Sequence, residues 1–289
     1  MGLRRGGLVA LAALVAIPLC PKRAHATEVV VVRHSAVPAY QEAFDEFSER
    51  CRLPTRVVPL DSSSSGPLDQ RIGAARILVT FGQDALDATH GRRERRIALL
   101  AAYSQEGALL APTTGTPTEL LRALKIAMPR ARTVGVIVGP RQEPWLVRAT
   151  EAAQRSGLTM LIQRPTDGAA AVRALHKIAG QIDAIWLPPD PDVISPQVFR
   201  YALQLQLERH IALVAATRQQ VHSGALLAID FPPRSLGRAA ADVINRWVER
   251  PQQDPQFPPL ASTITVNRTA ARRLSADLPA LVAIGARLE

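Results

Sequence analysis

Between Ile182 and Asp230 the chain repeats one construction three times: an apolar run that stops abruptly on polar or proline residues. Ile182 to Leu187 ends at Pro188-Pro189-Asp190, Ile211 to Ala216 ends at Thr217-Arg218, and Ala225 to Ile229 ends at Asp230. Runs of this kind do not alternate, so they have no face to give to water. They predict strands covered on both sides, as in a parallel sheet flanked by helices. The segment after the first run supplies such a helix. Ser195 is placed to cap its start, and Pro196 takes the first helical position, where a missing N–H costs nothing. Val198, Leu203, Leu205 and Leu207 are spaced to cover a sheet face. Each strand delivers polar side chains at its carboxyl end, the edge where open α/β sheets bind ligands.

The rest of the chain follows the same grammar. Val29 to Val32, Val57-Val58, Ile77 to Phe81 and Ile97 to Ala102 predict four strands, with a helix from Pro38 and a short one holding Ala85 and Leu86. That is one complete small parallel-sheet lobe. The loop from Asp61 to Pro67 is rich in serine but lacks the glycine spacing and lysine of a phosphate-binding loop. A second series begins with a helix at Thr116-Pro117. It continues through a strand Val134 to Val138, a helix Trp145 to Arg155, a strand Leu158 to Ile162 and a helix Ala169 to Ala179. Pro112-Thr113-Thr114-Gly115 and Pro232-Pro233 are punctuated as crossovers between the two series. After the second crossover come a strongly patterned helix, Leu236 to Glu249, and a proline-rich linker. A strand Ser262 to Val266 and a last helix Thr269 to Ser275 close the chain.

The amino terminus has a different logic. Arg4 and Arg5 precede an apolar run from Gly6 to Leu19, and Ala24-His25-Ala26 offers small residues at a cleavage position. Fourteen apolar residues fall short of a membrane span, so residues 1–26 predict a cleaved secretory signal and a periplasmic destination. The residue pattern before Cys20, Ile17-Pro18-Leu19, lacks the small residue a lipidated cysteine needs. Cleavage leaves 31 basic and 25 acidic residues, a net +6 instead of the +10 of the whole chain. The arginines are scattered apart from Gly91 to Arg96, and no aromatics interleave with them, so nucleic acid is not an expected partner. Cys51 is left alone in the mature chain and is expected as a buried thiol.

Enzyme signatures are missing. No G-x-S-x-G elbow, no H-E-x-x-H and no paired cysteine–histidine spacing occurs, so neither a metal nor a cofactor is implied. His34 beside Ser35 suggests acyl chemistry only weakly, since neighbouring side chains point apart. His210 and His222 stand alone.

At "HSGALLAIDFPPRSLGRAAADVINRWVERP" and "ITVNRTAARRL" the sequence resembles the ABC transporter substrate-binding protein family. The likeness rests on Gly224-Ala225-Leu226, Leu236-Gly237-Arg238 with Ala240-Ala241, and Asn267 with Ala270, and it reaches back through "DAIWLPPDPDVIS" and "TVGVIVGP". It implies the type I periplasmic-binding-protein fold: α/β, with two Rossmann-like lobes of parallel sheet joined by a three-segment hinge. The lobes would be residues 27–114 with 233–258 and residues 115–232 with 259–289. The resemblance also implies a small-molecule ligand caught between the lobes and an ABC transporter permease as partner. The protein would be a monomer, peripheral to the membrane once its signal is removed. A ligand sensor or accessory protein of the same fold, a periplasmic hydrolase and a LacI-type regulator are the alternatives. The regulator is disfavoured by a signal peptide standing where a helix-turn-helix would be.

In that fold the ligand contacts come from strand carboxyl ends. Ser35, Gly82 and Gln83 stand at the starts of lobe-one helices, where amides can hold a carboxylate, and Tyr103 and Ser104 close that side. Asp190 and Asp230 are placed to accept from a ligand ammonium, and Arg218 to grip an anion with two parallel bonds. Arg141 is a further candidate from the loop after Val138, and Trp145 is a candidate to stack on a ligand, as is Trp186, for which core packing inside its strand run is the preferred reading. The family often has an acidic residue followed by proline after the fourth lobe-one strand. Ser104-Gln105 stands there instead, which bears on whether an amino-acid-like ligand carries over.

Overall fold

The computed structural model describes residues 28–61 and 66–289. The segment predicted as a secretory signal and the serines of the 61–67 loop lie outside the described residues. The first sheet takes its strands from β1 (Val29–Arg33), β2 (Thr55–Pro59), β3 (Ile77–Phe81), β4 (Arg95–Leu99) and β5 (Ala108–Leu110). Its order is β2-β1-β3-β4-β5, with every neighbour parallel. The helices between them are α1 (Pro38–Arg50), α2 (Leu68–Ile72) and α3 (Gln83–Ala88).

The second sheet begins after α4 (Pro117–Ala127). It is built from β6 (Thr133–Ile137), α5 (Glu143–Arg155), β7 (Thr159–Gln163), α6 (Gly168–Ile178) and β8 (Ala184–Trp186), then α7 (Pro196–Arg209), β9 (Ala212–Ala215), α8 (Arg218–His222) and β10 (Leu227–Asp230). The chain then forms α9 (Pro233–Glu249) and returns as β11 (Thr263–Val266), α10 (Arg268–Arg273), α11 (Leu278–Ala283) and β12 (Arg287–Leu288). The strand order is β12-β11-β10-β9-β8-β6-β7. All pairs are parallel except β10 with β11, so the returning strand departs from the parallel expectation.

Both faces of the second sheet are covered, which is why its central strands β8, β9 and β10 are apolar almost throughout. Ile185, Leu213 and Ala215 pack with Leu175 of α6 and with Val198 and Leu205 of α7. Trp186, Val214, Leu227 and Ile229 face the opposite layer, with Leu120 and Leu124 of α4 and Ala149 of α5. Caps fix where the helices start. Thr116 accepts from the Glu119 amide while the Glu119 carboxylate reaches back to the Thr116 amide, and Ser195 Oγ accepts from Val198 N at 3.3 Å.

The helix α9 follows β10 in the chain but packs in the core of the first sheet. Leu236, Ala240, Ala241 and Ile244 lie with Val29, Phe47, Val79 and Phe81. It crosses α1 at Gly237, where a Cβ would sit 1.8 Å from the Ala43 carbonyl oxygen. The chain therefore passes between the sheets three times: near Thr114, near Asp230, and through residues 250–262. The first two crossings lie side by side. Thr114 and Asp230 form an isolated antiparallel bridge, and Gly115 N donates to Ile229 O at 2.8 Å.

Several expectations need correcting. The fourth strand ends at Leu99, because Leu100 turns the chain with a φ of 56°. A fifth strand, β5, adds an edge that the sequence pattern did not announce. Leu207 is 53% exposed and covers no sheet face. Thr269 to Ser275 is not the last helix, since α11 and β12 follow. Cys51 is half-buried instead of fully enclosed. Among the described residues no helix is long and apolar enough to cross a membrane.

Candidate functional site

The carboxyl ends of the two sheets confront each other across a cavity of about 1170 Å³. One wall comes from the first turn of α1, including Val37, Pro38 and Tyr40, with Gln83 and Leu100 behind it. The other comes from Pro188-Pro189-Asp190 after β8 and from Thr217 and Arg218 after β9. The floor is the pair of crossings, with Thr114, Asp230 and Phe231, followed by the start of α9.

Two long helices begin at this cavity without a side-chain cap, α1 after Val37 and α9 after Pro232. Proline fills the first helical position in both, so the first amides they present are those of Ala39 and Arg234. Such amides have no acceptor within their own helix, and the helix dipole makes their surroundings favourable to an anion.

Asp230 ends β10 at the crossing. One carboxylate oxygen accepts from Arg218 N at 2.7 Å. Among the described residues it makes no ion pair with a side chain. Burial pushes its pKa upward, against the opposing pull of the Arg218 amide and charge. Arg218 lines the cavity but is already engaged: its guanidinium meets the Glu289 carboxylate at 2.8 Å, and its Nε lies 3.2 Å from His222 Nε2.

Other predicted residues are occupied with structure. Gln83 is buried, its Oε1 accepting from the amides of Ala102 and Tyr103 and its Nε2 donating to Asp87. Gly82 turns the chain with a φ of 87°, and a Cβ there would lie 2.0 Å from Tyr40 Oη, so the glycine makes room for that ring. Ser35 lies off the cavity and donates its amide to both oxygens of Asp61. The Ser35 hydroxyl first, and then this amide, hold the Asp61 carboxyl below its ordinary range. His34 contacts Asp61 and Asp84 and does not bond to Ser35, so no serine–histidine pair forms. Ser104 is exposed and outside the cavity lining.

Tyr103, Asp190 and Arg141 form a group of their own. Tyr103 Oη donates to Asp190, whose other oxygen accepts from Gly139 N at 2.6 Å. Arg141 stacks over the Tyr103 ring at 4.0 Å and pairs with both Asp192 and Asp87. Of the nine predicted residues, Gln83, Asp190, Arg218 and Asp230 reach the cavity lining, and Ser35, Gly82, Tyr103, Ser104 and Arg141 do not. Trp186 is buried and meets Trp145 edge-on at 4.6 Å, so neither stacks on a ligand in the cleft. Sequence reasoning missed Tyr40 and Phe231, the aromatic parts of the wall, and the amides of α1 and α9. The prolines at the two helix starts were the available signal. Among the described residues no cluster of three or more histidine, cysteine, aspartate or glutamate residues is set to hold a metal ion.

Solved structures share this arrangement. An ABC domain from Streptococcus pneumonia in complex with L-Trp superposes with a TM-score of 0.71 at 13% identity, covering 91% of this chain and 99% of the other. A substrate-binding protein with adhesive properties from Clostridium difficile, in a ligand-free, open structure, gives 0.63 at 15% identity over 88% and 96%. A periplasmic ribose ABC transporter protein from Conexibacter woesei gives 0.55 at 16% over 89% and 97%. The chain has the type I periplasmic-binding-protein fold. That fold is shared by regulators: a LacI family protein from Enterococcus faecium with bound ribose matches at 0.53, with 10% identity over 82% and 96%. No family model and no curated protein matches the sequence. At these identities the binding-protein fold is what the neighbours establish.

Proposed function

We propose that this protein is a periplasmic solute-binding protein that holds a small amino-acid-like ligand between its lobes for an ABC importer. The observation that carries the reading is Asp230, a half-buried carboxylate at the crossing of two hinge segments, facing the cavity and ion-paired to no side chain among the described residues. A ligand ammonium supplies the missing partner. The ligand carboxylate is taken by the amides of Ala39 and Arg234 at the starts of α1 and α9. The apolar body lies against Tyr40, Phe231 and the Pro188-Pro189 edge. The L-Trp of the Streptococcus neighbour supports a ligand of this chemistry.

On this reading residues 27–114 with 233–258 move against residues 115–232 with 259–289, and ligand touches both bodies only when they are shut. Residues 1–26 direct export and are removed. The protein acts as a monomer, with a permease as its partner and no reaction of its own. A thermal-shift screen of the mature protein against amino acids and simple amines tests it, since binding raises stability with the ratio of ligand to Kd. At least one amino acid is expected to raise Tm. Asp230→Asn should then weaken binding about ten- to a hundredfold, the worth of a hydrogen bond to a charged group. Silence across the whole screen overturns the ligand class.

A further inference from the structure

Two bodies on a hinge stay together before a ligand arrives only through contacts of their own. Two cross-sheet contacts next to the cavity bear on this. Tyr103 follows β4 and Asp190 follows β8, so their hydrogen bond ties the carboxyl edge of one sheet to that of the other. Asp87 lies in α3 and Arg141 follows β6, and their ion pair at 3.3 Å makes a second tie.

Each half is organised within its own body before the two meet. Asp190 is anchored by Gly139 N, and Arg141 is gripped by the Asp192 carboxylate through two nitrogens, at 3.0 and 3.3 Å. On the other side, Asp87 accepts from Gln83 and from Gln105, while Gln83 also fixes the Tyr103 backbone. Contacts between pre-ordered groups cost little further side-chain entropy. Tyr103 and Asp190 are only 5% and 2% exposed, so water competes weakly for their bond. Burial first, and then the Asp190 carboxylate, keeps the Tyr103 hydroxyl protonated as a donor. The Arg141 guanidinium covers the same ring. Of the four groups only Asp190 reaches the cavity lining, and both its oxygens are already engaged by Tyr103 and Gly139 N, so the ties serve closure beside the ligand space.

We propose that Tyr103 with Asp190 and Arg141 with Asp87 form a latch that holds the two lobes shut without ligand. This rests on the two-lobe hinge of the proposed function and is independent of what the cleft binds. Spin labels at Glu49→Cys on α1 and Gln154→Cys on α5, in a Cys51→Ser background, report the distance between the bodies in the ligand-free protein. Scattering from the unlabelled protein gives its radius of gyration.

The expected result is a shut wild-type population and, for Tyr103→Phe, a fall of about tenfold in the closed-to-open ratio. Asp87→Asn, at a half-exposed position where the amide oxygen can still accept from Gln83, should shift the population in the same direction by less, and the double variant by more than either. A wild-type population already wide apart overturns the latch, as does a wild-type distance distribution unchanged in all three variants. Both readouts are taken without any ligand. A failed ligand screen therefore leaves the latch standing, and a failed latch leaves the solute reading standing.

Discussion

Asp230 costs the fold something. Burial raises its pKa above the ordinary aspartate value, so the folded protein holds this proton more tightly than the unfolded chain does. Stability from this group is therefore greatest below the unfolded pKa and falls as pH rises through the folded one. Asp230→Asn keeps an acceptor for the Arg218 amide and removes the buried charge. Its Tm should exceed that of the ligand-free wild type at neutral pH, and the gain should vanish as pH drops below about 3.9, the unperturbed aspartate value. Thermal melts of the two proteins across pH check this, and equal Tm at every pH would count against a strained carboxylate. A group that weakens the fold and faces a cavity is what a binding site looks like. At this scale the sequence located strand ends well: Asp190, Arg218 and Asp230 stand where the runs stop. It could not say which were already engaged. Arg218 answers to Glu289, dozens of residues away, and Asp190 answers to Tyr103 from the other sheet. Partners brought together by tertiary structure leave no local pattern.

Among the elements, α9 decides how the two halves share the chain. It leaves the second sheet, spends seventeen residues in the core of the first, and is pressed against α1 at a glycine. Glu46 of α1 also meets Arg234 and Arg238 across this contact. Gly237→Ala would gain helix propensity of up to about 1 kcal/mol. It also drives a methyl into the Ala43 carbonyl, an overpacking worth about 1–3 kcal/mol, against backbone that cannot swing aside. The net effect should be destabilising, read as a lower urea midpoint at unchanged slope. Strongly patterned elements such as α9 and the central strands of the second sheet were legible because their apolar spacing matches their covered faces. Short ones were not. Three residues of β5 and two of β12 hold too few side chains to show a period, and Leu278-Pro279 disguises the start of α11.

For the molecule as a whole, the chain's two series of strands predicted two sheets, and three crossings fit a hinge. What no run of residues could reveal is how the bodies meet once the hinge bends. Tyr103 and Asp230 then act on binding in different ways, and the difference is measurable. On the proposed reading Asp230 touches the ligand, so its replacement changes affinity by an amount that depends on the cation each ligand offers. Tyr103 acts on the fraction of molecules that are shut, and apparent affinity scales with that fraction whatever the ligand is. Tyr103→Phe should therefore weaken every ligand of a series by one common factor, equal to the fall in closed population measured without ligand. Asp230→Asn should reorder the series, with amines losing most. The two effects should multiply in the double variant, since a population and a contact are independent quantities. Calorimetric titration of four proteins against three or more ligands is enough. A Tyr103→Phe factor that varies with the ligand would place that ring in the binding site and take it out of the latch.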